Sequence, residues 1–189
     1  MREIISRPGY LLDGQPLPNL WLGVTVCNQA EADEKIPILL QTPAAKRFVS
    51  VEPMLGAVDL THFLEAEERI YRGDAISGFL DYEPLLHWVI CGGETGPNAR
   101  PMHPDWVRSL RDQCQDAAVP FFFKGWGEWQ PTLDGNFCWK SRRLYLHPDG
   151  NDVTGIENGW NANIANLQRV GKKRAGRLLD GQEWNEVPE

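Results

Sequence analysis

The sequence predicts an α/β fold built around a parallel β-sheet. Four short runs rich in β-branched and aromatic residues are typical of buried strands, and their apolar residues are near-continuous rather than alternating. Strands of this kind are covered on both faces, which is typical of parallel sheets. Segments with helical spacing lie between the runs, so the order of elements indicates βαβ architecture. The four runs span residues 20–26, 47–51, 86–91 and 119–123.

Helices are predicted in two of the connections between these strands. In the first connection, Asn28 is a suitable N-cap and Glu31 follows three residues later, as in a capping box. Pro37 is expected to start a second helical piece. The clearest helix spans residues 104–117, because Pro104 suits a first helical turn and apolar residues recur every three or four positions. These apolar residues are Trp106, Val107, Leu110 and Cys114.

Two segments depart from this alternation. Residues 61–84 are charged and then punctuated by glycine, which predicts a short helix and an excursion before the third strand. From residue 130 onward no clear period is found, and we expect short hairpins, one of them joining residues 137–140 to 143–150. The predicted organisation is a single domain over residues 1–189. Its parts are an N-terminal arm (1–18), a β/α core (19–129) and an irregular, Trp-rich C-terminal extension (130–189).

Composition and charge exclude several classes of protein. The chain has 189 residues with 42% hydrophobic content, which excludes disordered and collagen-like chains. Its 19 basic and 26 acidic residues give a net charge of −7, which argues against coating of nucleic acid and leaves only a local patch for such contact. No apolar run approaches the roughly 20 residues of a membrane span, and charges occupy the start of the chain. We therefore expect a cytoplasmic protein without membrane contact.

The spacing of cysteine, histidine and serine predicts neither a metal site nor a common hydrolase. No C-x-x-C pair is present, so neither a zinc knuckle nor a three-thiolate iron–sulfur loop can be drawn. The cysteines are expected to be reduced packing residues. The histidines do not cluster, and no serine stands in a G-x-S-x-G elbow. The residues concerned are Cys27, Cys91, Cys114, Cys138, His62, His87, His103 and His147.

Polar side chains follow each predicted strand. In parallel α/β sheets, ligands bind beyond the carboxyl ends of the strands, where the loops converge. Carboxylates and a lysine on this rim suit acid–base chemistry or cation binding, and they would equally form a structural ion-pair network. The rim residues are Cys27, Asn28, Glu52, Glu94, Lys124 and Glu128.

The Gly92-Gly93-Glu94 segment has two interpretations. The glycines permit close backbone approach, and Glu94 could bind ribose hydroxyls or an α-amino group of a ligand. Alternatively, the segment is a tight turn whose glutamate caps a helix or pairs with Arg100. It matches neither a P-loop nor a G-x-G-x-x-G fingerprint.

Glu52 and Lys124 leave a similar choice open. Each could face a ligand from the rim, or Lys124 could be the ion-pair partner of Glu52 across the rim.

The chain has eight tryptophans, six of them in its second half. One interpretation is packing, because a buried indole supplies a large apolar area. The other is a stacking platform for a nucleobase, formed by Trp126 and Trp129 on either side of Gly127.

A basic patch lies near the end of the chain. It is either a solvated helix face whose apolar neighbours dock on the body, or a surface that meets phosphates or an acidic protein. Its members are Lys172, Lys173, Arg174 and Arg177.

Five blocks of sequence carry a family resemblance. Over about Leu17 to Glu186, the chain resembles the phage gene-product 37/68 family, whose members in turn resemble radical S-adenosylmethionine enzymes. The resemblance implies a partial (β/α) barrel similar to the C-terminal half of a radical S-adenosylmethionine barrel. The blocks are LPNLWLGVTV-x-NQ, IPILLQTPAAKRFVSVEPMLG, WVICGGETGPNARPMHPDWVRSLRDQC, VPFFFKGWGEW and VGKKRAGRLLDGQEWNE. The rim residues that fit the family pattern are Glu52, Gly92, Gly93, Glu94, Lys124 and Glu128.

Two departures from the family pattern bear on function. The resemblance implies that full-length members begin with three cysteines that hold a 4Fe–4S cluster. We expect this chain to be an N-terminally truncated member that lacks these cysteines, so no such cluster is expected from this chain alone. Cys27 stands where an acidic residue is expected, and Gly125 where glutamine is expected. A half barrel would also leave the edge of its first strand unpaired, which predicts self-association or a protein partner.

These expectations leave three hypotheses for function. The first is a non-catalytic, phage-type binding protein without a cofactor, acting on a macromolecular partner such as a basic host defence complex that binds nucleic acid. The second is half of a split radical S-adenosylmethionine-like enzyme. In it, Gly92, Gly93 and Glu94 would hold S-adenosylmethionine or a nucleotide, and Glu52 and Lys124 would face the substrate. The third is a remnant with no selected activity.

Overall fold

The computed structural model describes residues 11–12, 15–69, 81–132, 141–155 and 163–189. Thirteen strands and four helices are assigned within these ranges. In chain order the strands are β1 (Leu11–Leu12), β2 (Gln15–Pro16), β3 (Trp21–Thr25), β4 (Lys46–Val51), β5 (Ala66–Arg69), β6 (Asp81–Pro84), β7 (Trp88–Gly92), β8 (Phe121–Gly125), β9 (Trp129–Pro131), β10 (Arg143–Leu146), β11 (Ala165–Arg169), β12 (Leu178–Leu179) and β13 (Gln182–Glu183). The helices are α1 (Gln29–Leu40), α2 (Thr61–Leu64), α3 (Pro104–Asp116) and α4 (Lys172–Ala175).

A four-stranded sheet in the order β3-β4-β7-β8 forms the centre of the protein. All three pairings are parallel, with Val49 opposite both Val24 and Val89. The predicted α/β class with parallel strands is therefore confirmed, and the four strands coincide with the four apolar runs.

The two faces of this sheet explain why the runs are near-continuous. One face is mostly buried, and α1 packs on β3 and β4 while α3 packs on β8. The other face carries a row of partly exposed aromatic rings. The Trp88 ring centroid lies 5.9 Å from that of Phe48, 6.1 Å from that of Phe122 and 6.3 Å from that of Trp21. Both faces are thus apolar, although the helices lie against one of them.

Helix α1 begins as predicted and continues further than predicted. Asn28 Oδ1 accepts a hydrogen bond from the Glu31 N–H at 3.0 Å, which confirms the N-cap. The prediction that Pro37 starts a second piece is wrong, because α1 runs without a break to Leu40. A proline removes one intrahelical hydrogen bond, and the buried Ile36 and Leu39 hold this turn on the sheet nonetheless.

The segment before the third strand is partly as predicted. The short helix is confirmed as α2. The excursion begins and ends as an antiparallel pair, β5 with β6, and the residues between them lie outside the described ranges.

The C-terminal extension contains more order than its composition indicates. Strand β11 pairs antiparallel with both β9 and β10, which gives a three-stranded sheet. The predicted hairpin between residues 137–140 and 143–150 falls partly outside the described residues. Strand β10 pairs with β11, and its Leu146 also forms an antiparallel bridge with Asp152.

The two edges of the parallel sheet differ. Along β8, the C-terminal segment forms an antiparallel cover: the Phe123 N–H donates to the Trp184 carbonyl at 2.9 Å, and the Glu186 N–H to the Phe121 carbonyl at 3.3 Å. Along β3, no strand pairs with the outer edge within the described part of the chain. Among the helices of the described residues, none is long and apolar enough to cross a membrane.

Candidate functional site

A pocket of about 680 Å³ lies at the carboxyl ends of β4, β7 and β8. This is the edge of a parallel sheet at which ligands bind in α/β proteins. Its walls come from the loops that follow the three strands and from the segment around α4. The lining residues are Glu52, Gly93, Thr95, Lys124, Gly125, Gly127, Lys172, Lys173, Gly176 and Arg177.

An ion pair between Glu52 and Lys124 forms one wall of the pocket. Lys124 Nζ donates to Glu52 Oε2 at 2.9 Å, and 26% of the Glu52 side chain is exposed. Gly92 lies between the two: a Cβ built on it would stand 3.3 Å from both Glu52 Cδ and Lys124 Cβ. The ion pair that the sequence left as one of two interpretations is present.

Two glycines allow the loops after β7 and β8 to meet backbone to backbone. The Gly93 N–H donates to the Gly125 carbonyl at 2.9 Å, and a Cβ on Gly93 would overlap the Trp126 carbonyl group. Gly127 has φ +73°, and a Cβ there would overlap the Glu94 carbonyl. The Gly93 and Gly127 positions therefore serve the packing of the pocket floor.

Glu94 is bound by Arg100. Its Oε2 accepts hydrogen bonds from the Arg100 N–H at 2.6 Å and from Nε at 2.9 Å, while Oε1 accepts from Nη2 at 2.9 Å. These hydrogen bonds lower the pKa of Glu94 below its usual range. The carboxylate does not line the pocket, so the interpretation as a partner of Arg100 fits the structure better than that as a ligand contact.

Trp126 and Trp129 are packing residues. Their exposed fractions are 6% and 3%, and the Trp126 ring meets Phe123 edge to face at 5.0 Å. Trp126 Nε1 donates to the Leu178 carbonyl at 2.9 Å and Trp129 Nε1 to the Ala99 carbonyl at 2.7 Å. Neither ring presents a face to a ligand, and packing is the interpretation that the structure supports.

Two further rim candidates hold the fold beside the pocket. The Asn28 side chain caps α1 and does not line the pocket. Glu128 Oε1 accepts from the Gly96 N–H at 3.2 Å, which ties the loop after β8 to the loop after β7.

The basic patch supplies a second wall of the pocket. Lys172, Lys173 and Arg177 line it, whereas Arg174 on the same short helix does not. The segment is anchored by hydrogen bonds to the loop after β8, among them one of 3.1 Å from the Trp126 N–H to the Gly176 carbonyl. The rim and the patch, which no sequence pattern connects, therefore form one site.

Arg177 is held at this wall mainly by an aromatic ring. Its Cζ lies 5.2 Å from the Phe122 ring centroid, a distance at which a guanidinium interacts with the π-system. Its Nε lies 3.8 Å from Glu183 Oε2. Nε and Nη2 are buried and have no hydrogen-bond partner among the described residues.

Thiols and metal ligands contribute no cluster to this site. Within the described residues, no three His, Cys, Asp or Glu side chains are grouped so as to hold a metal ion. Cys27, Cys91 and Cys114 are free thiols, and burial raises the pKa of both Cys91 and Cys114. Cys138 lies outside the described residues.

Comparison with known proteins gives one match. The model of a family described as "Protein of unknown function (DUF5131)" matches residues 1–188. No curated protein matches the chain, and no solved structure does either.

Proposed function

The chain belongs to the DUF5131 family of proteins of unknown function, and within it we propose that this protein binds a phosphate-bearing small molecule. The pocket at the carboxyl edge of the parallel sheet is the binding site. One observation carries the proposal: Lys172, Lys173 and Arg177 converge there on a floor of glycine backbone.

The charge of the pocket is opposite to that of the whole chain. The net charge is −7, yet the pocket holds four cationic side chains and, among its lining residues, one carboxylate that is already paired with Lys124. Cations of one sign gathered in a cleft focus the field and attract anions. Phosphate oxygens are the usual partners of lysine and arginine in such sites.

The size of the pocket favours a ligand larger than phosphate itself. Its volume of about 680 Å³ lies within the range of roughly 300–1,000 Å³ typical of small-molecule and cofactor sites.

Of the two ligands considered for a split enzyme, a nucleotide fits this pocket better than S-adenosylmethionine. The sulfonium of S-adenosylmethionine is a cation, which the lysines and Arg177 would repel. Glu94, the carboxylate that could bind ribose hydroxyls or the α-amino group, is bound by Arg100.

The proposal is tested by calorimetric titration with ATP and with tripolyphosphate. We expect both to bind, with affinity falling as salt screens the cations. A double substitution Lys172→Met with Lys173→Met should weaken each ligand by about tenfold or more, since a charged hydrogen bond contributes about 1.5–3 kcal/mol.

Arg174→Met is the matched control. It removes one cation from the same short helix without changing the lining of the pocket, so it should alter affinity far less. Absence of heat with every phosphate compound, or equal weakening by Arg174→Met and by a single Lys173→Met, would refute the proposal.

A macromolecular partner is a second candidate, favoured by the outer edge of β3, with which no strand of the described residues pairs. Trp21, on this strand, and Ile38, on the neighbouring α1, are exposed by 40% and 58%. An open strand edge flanked by apolar side chains is a ready template for pairing with another chain. Light scattering of the purified protein at rising concentration tests self-association. Capture of a basic protein from host lysate tests the hypothesis of a phage-type binding protein that acts on a cytoplasmic partner.

A further inference from the structure

We propose that the ligand of this pocket is a phosphate ester of a sugar, and that Glu52 binds its free hydroxyl groups. The inference rests on the proposed function, because it assumes that the phosphate is held by the wall formed by Lys172, Lys173 and Arg177. It adds an assignment for the part of the ligand that carries no phosphate.

Glu52 gives the pocket two chemically different walls. Lys172, Lys173 and Arg177 come from α4 and the residues after it, whereas Glu52 follows β4. Among the described residues that line the pocket, Glu52 is the one carboxylate. Its negative charge disfavours a phosphate beside it, because like charges repel.

One oxygen of Glu52 is available to a ligand. Lys124 Nζ binds Oε2 at 2.9 Å, and no hydrogen bond to Oε1 is formed by the described residues. The side chain is 26% exposed and lines the pocket, so Oε1 can accept hydrogen bonds from a bound molecule. Lys124 thereby positions the carboxylate and leaves half of it free.

The partner of Oε1 must donate a hydrogen bond. A ligand ammonium would donate, but the four cations of the pocket disfavour a second positive group on the ligand. A sugar hydroxyl donates without carrying charge, and hydrogen bonds to an ionised acceptor are the stronger ones. A molecule with phosphate at one end and hydroxyls at the other satisfies both walls.

The test compares ATP, 2′,3′-dideoxy-ATP and tripolyphosphate on the unaltered protein and on Glu52→Gln. In the unaltered protein, ATP should bind about tenfold more tightly than the dideoxy compound, the value of one charged hydrogen bond. In Glu52→Gln this ratio should fall toward one. Tripolyphosphate should bind Glu52→Gln at least as tightly as before, because a repulsive charge is removed.

Glu128→Gln and Lys124→Met separate this role from a general effect of charge. Glu128 is a neighbouring carboxylate outside the lining, so its substitution should leave the ratio unchanged. Lys124→Met should weaken tripolyphosphate and reduce the ratio in part, because Glu52 loses its positioning partner. Ribose 5-phosphate, as a further ligand, distinguishes a small sugar phosphate from a nucleotide.

The outcomes distinguish the two proposals. If tripolyphosphate and ATP bind but the dideoxy compound binds as tightly as ATP, the assignment of Glu52 is wrong and the phosphate site stands. If Glu52→Gln leaves the ratio intact, the assignment is equally wrong. If no phosphate compound binds, the proposed function fails and this inference with it.

Discussion

Lys124 and Glu52 meet across strand β7, with Nζ 2.9 Å from Oε2 and Gly92 between them. The contact is formed because β4 and β8 are both neighbours of β7 and because Gly92 has no side chain to separate the two. It places a fixed carboxylate and a cation side by side at the edge of the pocket. The contact between the carboxylate and the cation therefore depends on Gly92.

We expect the two adjacent glycines to respond differently to substitution. Gly93→Ala should lower the free energy of unfolding by about 1–3 kcal/mol, because the new Cβ meets the rigid Trp126 backbone. Gly92→Ala should cost less, since the neighbour Glu52 can rotate away, but it should reduce the preference for ATP over its dideoxy analogue. Urea denaturation of both variants checks the first statement, and titration of Gly92→Ala the second. Equal destabilisation by both substitutions would contradict the assigned contacts.

His103 should make stability depend on pH. Its Nδ1 accepts from the Asp105 N–H at 3.1 Å as the cap of α3, and Nε2 lies 2.9 Å from the Asn163 carbonyl. Burial lowers the pKa of His103, so below its ordinary value of about 6.5 the unfolded chain binds more protons. The contribution of His103 to the free energy of unfolding should be at its maximum above about pH 6.5. It should decline as the pH falls from 6.5 toward the pKa of His103 in the folded protein.

His103→Asn is the control for this dependence. Asparagine is a good N-cap that does not titrate, so the variant should start from a lower stability and lose less of it on acidification. Chemical denaturation on both sides of pH 6.5 measures the two slopes. The remaining histidines are common to both proteins, and parallel slopes would show that His103 does not carry the effect.

Asp180 should fasten the C-terminal strands to α3. It accepts hydrogen bonds from Arg108 Nε at 2.9 Å and Arg111 Nη1 at 2.8 Å, and the bonds from Arg108 contribute most to its lowered pKa. Asp180→Asn should cost about 1 kcal/mol, since the pairs are partly exposed. Asp112→Asn, in a more exposed pair with Arg111, should cost less.

The contribution of Asp180 has a defined pH dependence. A lowered pKa stabilises the folded state above the unfolded value of about 3.9, and this stabilisation is lost as the pH falls through the folded pKa. Denaturation curves at acidic pH should therefore converge for Asp180→Asn and the unaltered protein.

The described cysteines should differ in reactivity. In a Cys138→Ser background, we expect slow alkylation of the partly exposed Cys27 in the folded protein, because burial raises the pKa of its thiol and little thiolate forms. Cys91 and Cys114 are buried and should react only after unfolding. Mass spectrometry of peptides alkylated with and without urea measures this order. Modification of Cys114 as fast as that of Cys27 in the folded protein would contradict the packing of α3.

Local signals in the sequence predict the elements of the fold well. The apolar runs mark the four parallel strands, and the cap at Asn28 and the proline at position 104 mark where two helices begin. The helix break predicted at Pro37 is wrong, because packing of one helical face on the sheet outweighs a single lost hydrogen bond. Elements that depend on short stretches of sequence can therefore be predicted from the sequence.

The site is only half predictable from the sequence. The rim follows from a general rule about parallel sheets, so Glu52, Gly93 and Lys124 could be proposed. The joining of Lys172 and Lys173 to that rim depends on hydrogen bonds between the loop after β8 and a segment distant in the chain, for which no local pattern exists. The same reason hides the pairing of β8 with residues 184–186.

The pairing of β8 with residues 184–186 affects how the protein folds during its synthesis. Strand β8 and one wall of the pocket are completed by residues 172–186, which the ribosome makes after β8. Contacts between segments so far apart in the chain form late and slowly. During synthesis the parallel sheet therefore stays exposed along β8, and the pocket comes into existence only when residues 172–186 have left the exit tunnel.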